Sequence, residues 1–581
     1  METNWQARLR WLFSSEDGAK DRLLPRWMFL RGLGLIYFSA FYPLLFQIKG
    51  LIGPEGILPA NEYLQALTKL GATRFWYAPT LFWFSSSNHA LMVVCWVGIA
   101  ASLLLVLNVW PRAALLVCFV CFLSFIAAAQ DFSSYQSDGM LLEAGFLSLF
   151  FAPRGLRPGM GVNSPPVRAS LFLLNWEWFR IYFESGMVKL ASGEPQWRNF
   201  TAMDEYYQNG PLPTWIGWYV QHLPHRFHAF ATGLTLVLEL GLVWMLFLPR
   251  RWRIVCFFIV TGWQIPVIYT ANYTFLNYIV TLLGVLLLDD RFLERWLPKW
   301  LLSKLGWQHE TYAGESAGRA QGLKPMTLFR RVTARLKSHP DTRPLNAGLP
   351  AGHGEGPANE DRSPDSVPER SPAFTFYGTL KVAVTSAMLL WIFYATTVQM
   401  IWIVEPTRLF PTAPVGLLEP FRIANRYGLF AVMTRGRYEI EFQGSNDGQN
   451  WTAYPFRYKP QDVTKAPGIY APYQPRFEWN LWFASLDFWR NNMFVVSTEE
   501  RLLAGAPPVL ELFKSDPFAE APPKYVRAVI WQYWFTSMGE KRETGNWWRR
   551  EFGGLYAPEL TIAPNGKLNV LAWPPQVPPR Q

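Results

Sequence analysis

The sequence predicts a polytopic α-helical membrane domain of about nine spans, followed by a C-terminal β-rich, sandwich-like domain. Three observations carry that reading. Half of the 581 residues are hydrophobic and only 17% are charged, against about 25% charged in ordinary soluble domains. The apolar residues gather in runs close to the ~20 residues that a helix needs to cross the bilayer core. After Val404 the long runs give way to alternation of period two, the mark of strands.

Residues 1–26 are polar and charged, without the short apolar stretch and small-residue cleavage site of a signal peptide. They are read as a cytoplasmic N-terminal segment. The expected spans are residues 27–48, 89–110, 113–129, 140–153, 168–190, 228–248, 254–269, 273–288 and 380–404. Eight of them make a bundle over 27–304. The ninth lies in 372–404, beyond a stretch (305–371) whose later part is rich in Gly, Pro, Ser, Asp and Glu. Such a composition buries too little apolar surface to offset its ordering entropy, so it is read as a disordered cytoplasmic linker.

Loop charges set the orientation. Arg8, Arg10, Lys20, Arg22 and Arg26 precede the first span, and Arg112 lies between the second and third. Arg154, Arg157 and Arg168, then Arg250, Arg251 and Arg253, then Arg291, Arg295, Lys299 and Lys304 flank later spans. With nine spans all of them fall on one side, and the opposite short loops, 130–139 and 270–272, hold no Lys or Arg. The positive-inside rule then places the N-terminus in the cytoplasm and residues 405–581 on the non-cytoplasmic side. Because the basic residues sit beside apolar runs, the net charge of +11 reads as a topology signal and gives no nucleic-acid partner.

In the C-terminal domain, RYEIEFQ (437–443) alternates charged and apolar residues. Asp447-Gly448 is a hairpin signal, and 451–458 and 525–535 read as further strands. The domain has no Cys; Cys95, Cys118, Cys121 and Cys256 all lie in apolar runs, where free Cys packs as a small hydrophobe.

The fifth span is the outlier. Glu177, Arg180 and Glu184 recur at i, i+3 and i+7 and share one helix face, which cannot meet lipid. Two readings stay open: a polar pocket for a substrate or client, or an ion network that fixes helix packing. Asp138, Glu143 and Glu239 are candidate neighbours in the same network. Lys189, at the end of that span, either snorkels to the interface or serves as a base in an apolar pocket. His222, His225 and His228 form HxxHxxH, but Pro224 interrupts the helix that would align them on a metal. No metal or cofactor is expected. Asn199, Asn272 and Asn450 open N-x-Thr sequons on the predicted outer side.

A family resemblance rests on composite strings: YQSDGMLLEAGF (135–146), SGMVKL (185–190), PHRF (224–227), NYTFLN (272–277), PFRIANRYGLF (420–430) and RYEIEFQGS (437–445). Over most of its length the chain resembles the lipase maturation factor family. The resemblance implies a multi-span protein, of the endoplasmic reticulum in animals, that assists folding and assembly of secreted lipases. It points to a maturation factor rather than an enzyme, with the lipid bilayer and secreted clients as partners. The long linker, the Cys-free domain and an end without a KDEL-like address fit a bacterial relative, whose membrane would be the inner membrane. In this reading Trp451, Trp479, Trp482, Trp547 and Trp548 are candidate client contacts. A shorter string, YFESGMVKL (182–190), is similar to the membrane segment of vitamin K-dependent γ-carboxylases. It implies an alternative, an intramembrane enzyme with Lys189 as its catalytic base.

Overall fold

The computed structural model describes residues 4–133, 135–305, 372–405, 407 and 409–575. The expected linker lies almost wholly outside them. The chain forms two compact units, Met1–Leu297 with Val382–Gln581, and Pro298–Lys381. In the second, the described elements are a short helix, Lys299–Lys304, and the start of the helix Pro372–Val404.

Among the described residues, six helical stretches are long and apolar enough to cross a membrane: Lys20–Ile52, Asn88–Val106, Pro111–Ala128, His225–Phe247, Arg250–Thr270 and Gly378–Val404. They correspond to the expected first, second, third, sixth, seventh and ninth spans. The other three differ for physical reasons. The fourth is the 16-residue helix Gln136–Phe151, whose rise of about 24 Å is less than the ~30 Å bilayer core. The eighth is the short apolar helix Leu276–Leu287. The fifth, Arg168–Ala191, has 24 residues but carries four ionisable side chains between Glu177 and Lys189.

We label the helices that matter below α1 (Leu23–Ile52), α2 (Asn88–Val106), α3 (Pro111–Ala128), α4 (Gln136–Phe151), α5 (Arg168–Ala191), α6 (His225–Leu240), α7 (Arg250–Cys256), α8 (Gln264–Thr270), α9 (Leu276–Gly284) and α10 (Pro372–Val404). α1 starts where Asp290 accepts the otherwise unpaired backbone N–H groups of Leu23 and Leu24, at 3.1 and 2.7 Å. α1 and α2 pack tightly because Gly98 leaves room for the Phe41 ring, which a Cβ there would strike. Gly145 on α4 does the same for the Tyr37 hydroxyl, which donates to the Leu141 carbonyl at 3.1 Å.

The C-terminal domain is antiparallel, as the alternation predicts. Its strands are β1 (Arg437–Ser445), β2 (Thr452–Ala453), β3 (Tyr525–Phe535), β4 (Trp548–Leu555), β5 (Glu559–Ile562) and β6 (Leu568–Ala572). They form one sheet of order β2-β1-β3-β5-β6, with β4 also paired to β3. β1 and β3 run in register from Arg437↔Tyr533 to Ser445↔Tyr525. The second layer is helical rather than a second sheet: α11 (Arg476–Ser485) and α12 (Phe494–Leu503) pack on it, with Phe477 stacked on Phe442 at 6.2 Å.

The polar face of β1 is buried as well. Glu439 pairs with Arg437 and, at 2.8 Å, with Lys459. Glu441 pairs with Arg550 at 3.2 Å and accepts from Gln443 and Gln461. Charged residues at every second position thus line a second, ionic interior.

The turn after β1 is built by Asp447. Its carboxylate accepts the backbone N–H of Asn450 at 2.7 Å and of Gln449 at 2.8 Å, and Gly448 takes φ 71°. Those hydrogen bonds, the one from Asn450 first, hold the Asp447 carboxyl well below the usual carboxylate range. A depressed pKa means that the turn is stabilised above the ordinary carboxylate pKa of ~3.9 and loses that contribution only as pH falls through the lower folded value. Amide exchange should therefore show Gln449 and Asn450 protected at pH 5 and released only in stronger acid. In Asp447→Ala the protection should be missing at both.

Candidate functional site

Buried charge concentrates where α5 meets α4 and the segment 422–430. Glu177, Arg180 and Glu184 are wholly buried. Arg180 pairs with Glu143 of α4 and lies 3.8 Å from Glu184. Its other Nη donates to the Asn425 carbonyl at 2.7 Å.

The same carboxylates grip the backbone of 422–430. Glu143 Oε2 accepts from the Asn425 N–H, the Asn425 side-chain amide and the Tyr427 hydroxyl, at 3.0, 3.0 and 2.9 Å. Glu184 accepts the Tyr427 N–H at 2.6 Å, and Ser185 the Leu429 N–H at 3.2 Å. Tyr427 OH also reaches Glu177 at 3.4 Å. The polar face of α5 is thus occupied by a strap of the C-terminal region. A net hydrogen bond is worth about 0.5–1.5 kcal/mol, and several act together here.

The remaining sequence candidates divide between two other pairs. Asp138 meets Arg476 of α11 in a two-pronged pair, 2.8 Å on both sides, and Arg476 also donates to the Phe132 carbonyl at 2.8 Å. Glu239 of α6 meets Lys189, whose Nζ lies 2.8 Å from both carboxylate oxygens. Lys189 is 1% exposed and turns inward over the Trp197 ring, 5.0 Å from its centroid.

The Lys189–Glu239 pair sits in the wall of a cavity of about 230 Å³. α5, α6, α8 and α9 form most of the wall, and Trp197, Tyr206, Tyr207 and Phe430 add aromatic surface from connecting segments. A polar chain runs beside it: Asn277 donates to Gln264 at 2.6 Å, and Gln264 to the Tyr182 hydroxyl at 2.8 Å.

The three histidines separate. His222 bonds the Trp218 and Thr536 carbonyls, His225 faces Asp204 at 3.0 Å, and His228 is buried beside Tyr207. Among the described residues no group of three or more His, Cys, Asp or Glu is placed to hold a metal. Asn272 is buried and bonded to Leu212, Gly468, Tyr470 and Ala471, whereas Asn199 and Asn450 are exposed. Trp479, Trp482 and Trp548 are core residues, 6%, 9% and 1% exposed. Trp451 and Trp547 are half-buried beneath Arg527 and Lys541, with each cation 4.0 Å from a ring centroid.

Sequence reasoning missed Asn425, Tyr427 and Arg476. The first two lie in the string PFRIANRYGLF, which signalled the family but not its contact.

Comparison with known proteins covers nearly the whole chain. A family model described as the lipase maturation factor transmembrane domain matches residues 24–295, and one described as the lipase maturation factor C-terminal domain matches 423–558. Lipase maturation factor 2 of Gallus gallus is 32% identical, over 93% of this chain and 81% of that protein. The Homo sapiens protein of that name is 31% identical over 93% and 83%. Lipase maturation factor 1 of Mus musculus is 27% identical over 93% and 87%. No solved structure matches.

Proposed function

Because the chain belongs to the lipase maturation factor family, we propose that it is a membrane-anchored factor for the folding or maturation of secreted client proteins, lipases first among them. The observation that carries this reading is the match along both domains to proteins named for lipase maturation. The clasp supports it: carboxylates of α4 and α5 hold the chain's own backbone, an arrangement suited to fixing one domain on another. Counted over nine spans, the loop charges support a cytoplasmic N-terminus and a C-terminal domain on the side where secreted clients fold. The membrane is then the endoplasmic reticulum in a eukaryote and the inner membrane in a bacterium. Trp451 and Trp547 are the aromatic residues we assign to client contact, since half-exposed rings under a cation offer both apolar area and charge.

Deleting the gene in its own host tests this. Secreted lipase should keep its rate of synthesis and lose specific activity, and the wild-type gene should restore it. A Trp451→Ala/Trp547→Ala double variant should accumulate normally and restore it only in part. Unchanged lipase activity together with a build-up of a small-molecule precursor would overturn the proposal.

A further inference from the structure

The cavity beside Lys189 adjoins the clasp, sharing Ser185, Leu429 and Phe430 with it, and its construction points to a ligand of its own. We propose that it binds the polar end of an uncharged, ester- or hydroxyl-bearing lipid that enters sideways from the bilayer. Three observations carry the assignment.

The first is where the cavity opens. Of its lining residues, those that are exposed are Phe227 and Phe230 on α6 and Pro266 on α8. Phe227 and Phe230 are 41% and 66% exposed. Both helices lie in stretches long and apolar enough to cross a membrane, His225–Phe247 and Arg250–Thr270. The mouth is therefore on a lipid-facing side, and aromatic rings frame it.

The second is size and lining. An apolar cavity of about 150 Å³ holds one benzene-sized molecule, and pockets for drug-sized ligands start near 300 Å³. At about 230 Å³ this one takes a glycerol ester or the first part of one chain, while the rest of the lipid stays in the bilayer. Its aromatic walls exclude water and favour such a group.

The third is charge. Lys189 and Glu239 face each other at 2.8 Å and cancel. A fatty-acid anion or a phosphate would add a charge with no partner in a low-dielectric wall, at high cost. A hydroxyl or ester carbonyl adds none. The ammonium has three N–H donors, and Glu239 keeps 14% of its side chain exposed, so the pair can receive an acceptor and a donor from the same headgroup.

The test uses the full-length protein in phosphatidylcholine nanodiscs and a diacylglycerol carrying a diazirine in one acyl chain. After photolysis, mass spectrometry should place the label on peptides containing Phe227, Phe230 or Pro266. Dioleoylglycerol should compete at a concentration at least about tenfold below that needed for oleate, whose carboxylate would bring an unpaired charge into the wall. Ala231→Trp, which fills the cavity from α6, should abolish labelling; if that chain fails to fold, Val267→Trp fills it from α8. Lys189→Met/Glu239→Leu keeps the wall neutral but removes its donor and acceptor, and should raise the dioleoylglycerol concentration needed for competition about tenfold, the effect of one good hydrogen bond to a charged group, while leaving the protein folded. Equal competition by oleate, or labelling that survives the cavity-filling variant, would overturn the inference.

Discussion

Arg180→Met should destabilise the protein by about 3–5 kcal/mol, the usual cost of removing one partner from a buried ion pair. The guanidinium is wholly buried and is the shared cation of Glu143 and Glu184. Without it, Glu143 and Glu184 stay buried without the cation they share. Denaturant unfolding in mild detergent measures the loss, and limited proteolysis should show the C-terminal domain released before the bundle opens. Adding Glu143→Gln and Glu184→Gln should recover much of it, since neutral amides still accept from Asn425 and Tyr427. A single variant within about 1 kcal/mol of wild type would mean that water enters the cluster and screens it, as at exposed pairs.

The second large effect is expected at Asp138 and Arg476. Their pair is two-pronged and nearly inaccessible, with side chains 1% and 2% exposed, and it joins the start of α4 to α11. Arg476→Leu leaves Asp138 buried and unpaired and should again cost about 3–5 kcal/mol. Asp138→Leu/Arg476→Leu removes both charges and should cost markedly less than the sum of the single changes, because residues in contact are not additive. Additivity of the two would show that they act separately and would refute the link.

Much of this architecture is legible in the residues. Long apolar runs mark the six membrane-length helices because burial in lipid demands an unbroken length of apolar side chain. Alternation in 437–443 and the Asp447-Gly448 turn mark β1 and its end because strands expose successive residues to opposite faces. The polar face of α5 is legible too, since charge at i, i+3 and i+7 must meet something other than lipid. What it meets is not. Asn425 and Tyr427 contribute through backbone N–H groups as much as side chains, and every residue has a backbone. Arg476 and Asp138 are 338 residues apart, and one sequence holds no record of such a pairing. The helical second layer of the C-terminal domain was hidden for a related reason. α11 is rich in Trp and Phe and nearly all buried, so its pattern shows no helical stripe.

The clasp also bears on how the protein comes to exist. A ribosome makes α4 and α5 long before it makes residues 422–430. Until that strap arrives, Glu143, Glu177 and Glu184 share Arg180 alone, and their remaining lone pairs have no backbone donors. The helices made early are thus unable to complete their own interior, and only the last third of the polypeptide supplies the missing donors. Biogenesis acquires an inherent order, in which a nascent chain that stops short keeps unmet polar groups inside its helical bundle.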